Sequence, residues 1–411
     1  MLLNLHFNKR EDLYMNFYIQ MGHGMQSICN DLSELWGGAT VILSPLNIKE
    51  SSLPKFATSL IKNRGKVLLD PQMYSPRKYH KNLQQYSYFP KSDITNIELG
   101  DCGETLRSLN QLNEQIQSDA FILPSFTTKI INERWHKFQN AISNQANQIT
   151  NGKTLIQTIA LSSDVLSDET QVEKIIQYAS QWNVKGVYIV FEHPERYLVD
   201  KPLLIANLLA LVAGVKRSGR SVIVGYASHQ MLCLSLAKCD AIATGNFLNV
   251  RWFQPERFET LDNSEPSRRS TWYYCPQAFS EYKVTYLDVA KEVDLLPRMA
   301  PPKNMENDFS RVLFSGAMPS STNYKEGESH RHYLHCLKIQ CDMASKSTYT
   351  ETREAHLALL ETAARLTAGL RDAKIKGQER DFSEIVDVIE AAISVFDKKY
   401  GFALSQEWSS L

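Results

Sequence analysis

The stretch VIVGYASHQMLCLSLAKCDAIATGN, residues 222–246, contains two short apolar runs that both end in glycine. The first run ends at Gly225, and the second ends at Thr244, Gly245 and Asn246 after a helix-like segment. Strands that alternate with helical segments are typical of β-α units with a parallel sheet. The two glycines leave two interpretations open. They could form a phosphate pocket, or they could be needed because the chain is closely packed where it leaves each strand.

The same alternation extends back along the chain. Eight runs rich in apolar and β-branched residues are predicted as strands, at 17–22, 40–45, 66–71, 119–125, 154–161, 186–192, 221–227 and 240–245. The runs are continuously apolar, as expected for parallel strands that are buried on both faces. Their number and order favour an α/β fold, a (β/α)8 TIM-type barrel, over an open doubly wound sheet.

Segments outside the alternating units set the predicted domain boundaries. Residues 1–260 are predicted as the barrel, with a Tyr-rich insertion at about 72–117 after the third strand. Residues 261–328 are polar and rich in proline and asparagine, which predicts a connector associated with the barrel. In residues 329–411 apolar residues recur at helical spacing, which predicts a C-terminal helical domain. This domain either packs on the barrel or joins subunits in a homo- or hetero-oligomer.

The composition excludes several classes of protein. Hydrophobic residues make up 43% of the chain, and 45 basic residues balance 45 acidic ones, so a polyanion would need a local cluster for binding. Seven scattered cysteines without a CxxC pair predict reduced thiols. The apolar N-terminal start is too short for a signal peptide, and no apolar run approaches the roughly 18 residues of a membrane span. We therefore predict a cytoplasmic protein with no membrane contact.

The active site of such a barrel lies at the carboxyl ends of its strands. Asp70 ends the apolar strand KVLLD, where desolvation would raise its pKa and suit a general base, although it could instead cap the following turn. Glu192 ends the sixth strand, and His23 lies between two glycines after the first strand. The predicted catalytic residues are therefore Asp70, Glu192 and His23.

A second set of strand-end residues would bind the substrate. The loops after the seventh and eighth barrel strands often form a phosphate site. Arginines and aromatic residues between 251 and 274 suit phosphates and stacked bases, or form a packed surface. The predicted substrate-binding residues are Gln72, Gln157, Gly225, Ser228, His229, Gly245, Asn246 and Arg251. The sequence contains no P-loop, no GxSxG elbow and no GxGxxG after a strand, and we predict no metal and no cofactor.

Three of these positions carry a resemblance to a known family. LLDPQMY around Asp70, LIQT around Gln157, and Gly225 at the end of the seventh strand resemble the tRNA-guanine transglycosylase superfamily, including its DNA-modifying relatives. The resemblance implies that these residues recognise a guanine-like base and that one base replaces another on a ribose. The chain departs from the family at Thr244 and Gly245, where the family has its nucleophilic aspartate, and it lacks the CxCxxC…H zinc motif.

These observations together favour an enzyme that acts on a nucleobase, nucleotide or nucleic acid by base exchange or glycosidic-bond chemistry, a transglycosylase-like transferase. One alternative is a degenerate, non-catalytic barrel that binds a ligand or partner within a larger complex. Another is a barrel enzyme that uses a sugar phosphate or a flavin. No lysine ends a predicted strand, which argues against a Schiff-base aldolase.

Overall fold

A computed structural model describes residues 14–90, 94–98, 100–193, 195–259 and 270–411. Its central strands are β1 Asn16–Gln20, β2 Thr40–Leu43, β3 Lys66–Leu69, β4 Phe121–Ile122, β5 Thr127–Thr128, β6 Leu155–Leu161, β7 Gly186–Phe191, β8 Ser221–Val224 and β9 Ala241–Thr244. They form one parallel sheet in the order β3-β2-β1-β9-β8-β7-β6-β4, and β5 also pairs with β6. The Asp119 N–H donates to the Val67 carbonyl at 2.8 Å, joining the two ends of this order. The result is a nearly closed eight-position barrel, which confirms the predicted fold class.

Helices surround the barrel. They are α1 Gln26–Trp36, α2 Leu53–Lys62, α3 Thr95–Glu98, α4 Gly103–Gln115, α5 Glu133–Ile149, α6 Ser163–Ser167, α7 Glu169–Ala179 and α8 Pro202–Arg217. The helix-like segment between β8 and β9 is a 3-10 helix, His229–Ala237, and all of its residues are buried. No helix in the described ranges is long and apolar enough to cross a membrane.

The span predicted as a Tyr-rich insertion contains a regular barrel helix. Helix α4 buries Leu106, Leu109 and Leu112 and forms the crossover between β3 and β4. The preceding segment is fixed to the barrel by its tyrosines, because the Tyr86 hydroxyl donates to the Ile48 carbonyl and the Tyr88 hydroxyl to the Pro71 carbonyl. Residues 72–90 therefore pack against the barrel beside the exit of β3.

The remaining elements are a hairpin and a set of helices. They are β10 Trp272–Cys275, β11 Ser280–Lys283, α9 Val284–Glu292, α10 Leu296–Met299, α11 Asp308–Arg311, α12 Glu326–Ala344, α13 Tyr349–Asp372, α14 Val386–Phe396 and α15 Phe402–Glu407. Strands β10 and β11 pair antiparallel. A π-helical turn, Asp397–Gly401, joins α14 to α15.

The C-terminal helices complete the outer layer of the barrel. Helix α12 packs against β1, α1 and the 3-10 helix, and it thereby occupies the position of an eighth outer helix of the barrel. Helix α14 packs along α8. Because α14 covers its outer side, α8 is buried over most of its surface. Leu334 and Ile389 belong to the same continuous apolar core as the barrel strands. The predicted C-terminal helices are therefore present and packed on the barrel.

Candidate active site at the barrel mouth

Asp70 lies directly after β3 and points into the barrel. Its carboxylate accepts hydrogen bonds from the Gln72 N–H (3.0 Å), the Tyr74 hydroxyl (2.9 Å) and the Tyr226 hydroxyl (3.0 Å). The Tyr188 hydroxyl lies 3.5 Å from the carboxylate. We call these five residues the Asp70 cluster.

The barrel brings the Asp70 cluster together from three strands. Tyr188 lies within β7, Tyr226 follows β8, and Gln72 and Tyr74 follow β3. The carboxyl ends of parallel barrel strands meet on one face, so side chains distant in sequence converge there. Within the barrel, the Tyr188 hydroxyl donates its hydrogen to the side-chain oxygen of Gln20 on β1 at 2.9 Å. The predicted catalytic residue Asp70 and the predicted binding residue Gln72 are thus in one hydrogen-bonded group.

Two residues of the Asp70 cluster have strained backbones. Gln72 has φ 54° and Tyr226 has φ 51°, in the left-handed region that residues other than glycine rarely adopt. The Gln72 side-chain amide donates to the Tyr226 hydroxyl at 2.8 Å and accepts from the Leu46 N–H at 2.8 Å. Strained residues of this kind cluster at functional sites, where the surrounding structure holds them in place.

Burial decides the protonation of the Asp70 cluster. Desolvation raises the pKa of Asp70 to about 6, although the hydrogen bonds from the Gln72 N–H and from the Tyr74 and Tyr226 hydroxyls oppose this rise. Burial and the Asp70 charge raise the pKa values of Tyr74, Tyr188 and Tyr226 well above the usual value for tyrosine. All three hydroxyls therefore remain protonated and can donate hydrogen bonds. A carboxyl group that titrates near neutral pH suits general acid–base catalysis.

Aromatic side chains close the barrel mouth above Asp70. The rings of Phe253 and Phe258, from the segment after β9, lie 4.9 and 4.7 Å from the Tyr74 ring, measured between centroids. The Phe253 ring lies 5.3 Å from the Tyr226 ring. As a result only 1% of Asp70 is exposed to solvent.

The two glycines that end β8 and β9 are explained by close packing. A Cβ atom on Gly225 would overlap the hydroxyl and ring of Tyr188. A Cβ atom on Gly245 would overlap the carbonyl of Gln20 and the side chain of Val250. These contacts agree with the interpretation that the strands need tight exits, and phosphate binding by the two glycines stays a prediction.

Replacing Gly225 by alanine is expected to displace Tyr188 and to lower the free energy of unfolding by about 1–3 kcal/mol, the usual range for overpacking a core. The matched control is Gly369→Ala in α13, where the nearest atom to the new Cβ, on Arg298, is 3.7 Å away. This control is expected to be neutral or stabilising, since alanine is the better helix former. Urea denaturation measures both variants, and equal stability of the two would contradict the packing explanation.

The side chain of Gln157, in β6, points away from the barrel interior and towards the outer helices. In the register of β6 with β7, Thr158 pairs with Tyr188, which points inward, so the neighbouring Gln157 points outward. Its amide donates to Gln139 of α5, in the helical layer. The structure therefore does not bring Gln157 to the Asp70 cluster, and its role in base recognition stays a prediction.

The other two predicted catalytic residues also lie apart from Asp70. The Glu192 carboxylate accepts a hydrogen bond from the Ser163 N–H at 3.1 Å, at the start of α6. His23 is exposed, and its carbonyl accepts from the Asn246 side-chain amide at 3.4 Å. Neither residue has a described contact with the Asp70 cluster.

Ser228 and His229 lie at the start of the 3-10 helix. The Ser228 hydroxyl accepts from the Gln230 N–H at 3.3 Å, which is an ordinary helix cap. His229 is 1% exposed, and its Nδ1 lies 3.5 Å from the Tyr333 hydroxyl of α12. Burial lowers the pKa of His229 to about 4, so its ring is neutral at physiological pH.

Arg251 belongs to a buried group that we call the ion triad, with Glu281 and Arg380. Its guanidinium lies 3.1 Å from the Glu281 carboxylate, and Arg380 binds the same carboxylate at 2.9 Å. Arg251 also donates to the carbonyls of Gly245 (2.8 Å) and Asn246 (2.6 Å), and it stacks on an aromatic ring of α12. Through these contacts the guanidinium of Arg251 holds the loop after β9 in place. Phosphate binding by Arg251 stays a prediction.

Sequence reasoning missed the tyrosines that bind Asp70. Tyr188 carries the one polar side-chain group in the apolar run GVYIVF, and a buried tyrosine hydroxyl usually forms a hydrogen bond. Tyr226 directly follows the strand-end Gly225. These two signals were available in the sequence, whereas their convergence on one carboxylate depends on the barrel.

The arginine and aromatic cluster predicted between 251 and 274 lies partly outside the described residues, which omit Arg268 and Arg269. Within the described ranges, no group of three or more His, Cys, Asp or Glu side chains could hold a metal ion. All seven cysteines are buried and free of disulfides.

Comparisons with known proteins add little to this geometry. No family model and no curated protein matches the chain. A glucosidase from Croceicoccus marinus matches at 7% identity and a TM-score of 0.33, over 56% of this chain and 59% of that chain. The carboxyl transferase domain of Rhizobium etli pyruvate carboxylase, with pyruvate, matches at 9% identity and a TM-score of 0.36, over 97% of this chain and 55% of that chain. Neither match is to a transglycosylase, and similarity at this level carries no argument about function.

Proposed function

We propose that the protein is a barrel enzyme in which Asp70 is the general acid and base, acting on a nucleobase, nucleotide or nucleic acid. The observation that carries the proposal is a buried carboxyl group at the catalytic end of a barrel, bound by tyrosine hydroxyls and with a pKa of about 6.

The chemistry of the Asp70 cluster fits cleavage or exchange of a glycosidic bond. In its acid form Asp70 gives a proton to the departing base, and the bond electrons leave with that base. The tyrosine hydroxyls then stabilise the new carboxylate, which takes a proton back from the incoming base or from water. Asp70 is the one carboxylate in the cluster, so we assign the nucleophile to the incoming base or water.

The aromatic rings at the mouth supply a surface for a planar base. Phe253 and Phe258 lie edge-on to Tyr74, and all three rings are buried. Base–aromatic stacking contributes about 1–3 kcal/mol per base. Because these rings cover Asp70, substrate entry requires the two phenylalanines to move aside.

The test is release or exchange of a labelled base from nucleosides, from single- and double-stranded DNA, and from tRNA, between pH 5 and 8. The rate is expected to fall as pH rises through about 6, because the acid form of Asp70 is lost there. Absence of release and exchange with all substrate classes would refute the proposed function.

The closed mouth favours a second candidate function, a non-catalytic scaffold. Each oxygen of Asp70 accepts a hydrogen bond, and the residue is 1% exposed, as expected for a carboxyl group that only braces the barrel. This candidate predicts that Asp70 variants lose stability without any change in ligand binding. The proposed enzyme predicts loss of turnover.

A further inference from the structure

Arg257 differs from Arg251, which also lies in the segment after β9. It lies in the short 3-10 turn Pro255–Phe258, and its Nε–H donates to the Gln254 side chain at 2.8 Å, which orients the guanidinium. Its Nη1 is shielded from water and has no hydrogen-bond partner among the described residues. No carboxylate of the described chain forms an ion pair with it. Arg251, by contrast, is bound to Glu281.

The Arg257 side chain is partly buried, and its shielded Nη1 is the atom without a partner. A buried donor that makes no hydrogen bond is unfavourable, and a ligand that accepts from it would remove that cost. Burial lowers the pKa of Arg257 to about 10, so the group remains charged at neutral pH. Glu259, two residues further on, lies 3.6 Å from Lys78 instead. The neighbouring Glu256 favours the charged form of Arg257 without forming an ion pair with it, so the described part of the chain leaves the Nη1 donor unsatisfied.

The turn that carries Arg257 packs against the Asp70 cluster. Phe258, the next residue, packs 4.7 Å from the Tyr74 ring and 6.0 Å from the Tyr226 ring. Burial and Asp70 raise the pKa of Tyr226, and the charge of Arg257 opposes that rise. An anion bound to Arg257 would thus adjoin a ligand held at the Asp70 cluster.

We propose that Arg257 binds the phosphate group of a nucleotide whose base is held at the Asp70 cluster, an inference that rests on the function proposed for that cluster. The planar guanidinium fork matches the oxygens of a phosphate group. The substrate class is thereby a nucleotide, free or within a strand, rather than a free base or a nucleoside. The anion-binding arginine is Arg257, and Arg251 belongs to the ion triad.

Isothermal titration calorimetry tests the inference with the four ribonucleosides, their 5′-monophosphates and inorganic phosphate. For the unaltered protein, at least one monophosphate is expected to bind about tenfold or more tightly than its nucleoside, and this difference should shrink as salt is added. Arg257→Gln should abolish the difference, and Arg257→Lys should retain part of it as a point charge. Arg311→Gln, which removes an exposed arginine from a surface ion pair, should leave it unchanged.

The outcomes separate the inference from the proposed function. Equal affinity of monophosphate and nucleoside for the unaltered protein, or an unchanged difference in the Arg257→Gln variant with folding confirmed by circular dichroism, overturns the phosphate role. Binding of inorganic phosphate that Arg257→Gln abolishes, with no binding of any nucleotide, supports an anion site at Arg257 but overturns its use for a nucleotide. A phosphate-dependent difference that persists in Asp70→Asn, without any catalysis by the unaltered protein, supports the phosphate role while the proposed enzyme function fails.

Discussion

Replacing Glu281 by alanine is expected to lower the free energy of unfolding by about 3–5 kcal/mol, because it leaves the buried Arg251 and the mostly buried Arg380 without their shared carboxylate. Glu281 is 3% exposed and binds Arg251 at 3.1 Å and Arg380 at 2.9 Å. The loss should appear as a lower urea midpoint with an unchanged slope.

The matched control for this variant is Glu407→Gln. Glu407 of α15 pairs with Arg217 of α8 at 2.7 Å, but both side chains are more than a third exposed. Water screens such a pair, so the control is expected to change stability too little to resolve. If Glu281→Ala proved as stable as this control, the ion triad would not hold the loop after β9.

The pH dependence gives a second readout of the ion triad. Burial raises the pKa of Glu281, but Arg380 and Arg251 outweigh that effect and hold it at about 2. A depressed pKa in the folded state stabilises the protein above the unfolded value, near 4.5, and this stabilisation is lost as the pH falls towards 2. Glu281→Ala should therefore remove part of the acid sensitivity of the fold.

Asp70→Asn is expected to reduce turnover by about 10²–10⁴-fold, the usual contribution of a positioned acid or base. Asparagine keeps the size of the side chain and one acceptor oxygen, but it cannot give or take the proton. The assay is the base release or exchange described for the proposed function. Full activity in this variant would remove Asp70 from the catalytic role.

The same variant should change how stability depends on pH. The folded pKa of Asp70, about 6, lies above its ordinary value of 3.8, so its contribution to stability is complete below about pH 4 and is lost as the pH rises through 6. A shift of about two units corresponds to about 3 kcal/mol at 1.4 kcal/mol per unit. The difference in unfolding free energy between Asp70→Asn and the unaltered protein should therefore grow in favour of the variant across this window. A constant difference from pH 4 to 7 would contradict the raised pKa.

The barrel and Asp70 could be predicted because their signals are local. Each buried parallel strand is a continuous apolar run, and a carboxylate at the end of such a run is conspicuous in the sequence. The regular helix α4 was harder to recognise, because most of its residues are polar and the span before it is rich in tyrosine. Its buried leucines at 106, 109 and 112 carry the helical spacing that identifies it.

The rest of the site depends on relations that a single sequence does not contain. Gln157 points away from the barrel interior because of the pairing register of β6, where a shift of one residue reverses the direction of every side chain. Arg251 is paired with Glu281, which lies 30 positions later in the sequence and also binds Arg380. Gly225 is required by the ring of Tyr188 on the neighbouring strand.

The packing of α12 against β1 has a consequence for synthesis of the chain. Trp36 at the end of α1 donates to His335 of α12 at 3.1 Å, a contact between residues 299 positions apart. Arg331 binds Asp31 at 2.5 Å across the same two helices. While the ribosome is still translating the segments before α12, the first strand has no cover on its outer face. Apolar surface on β1 thus stays uncovered until late in translation, and exposed surface of this kind makes an incompletely folded chain prone to aggregation. The protein is expected to complete folding only after most of the chain has left the ribosome.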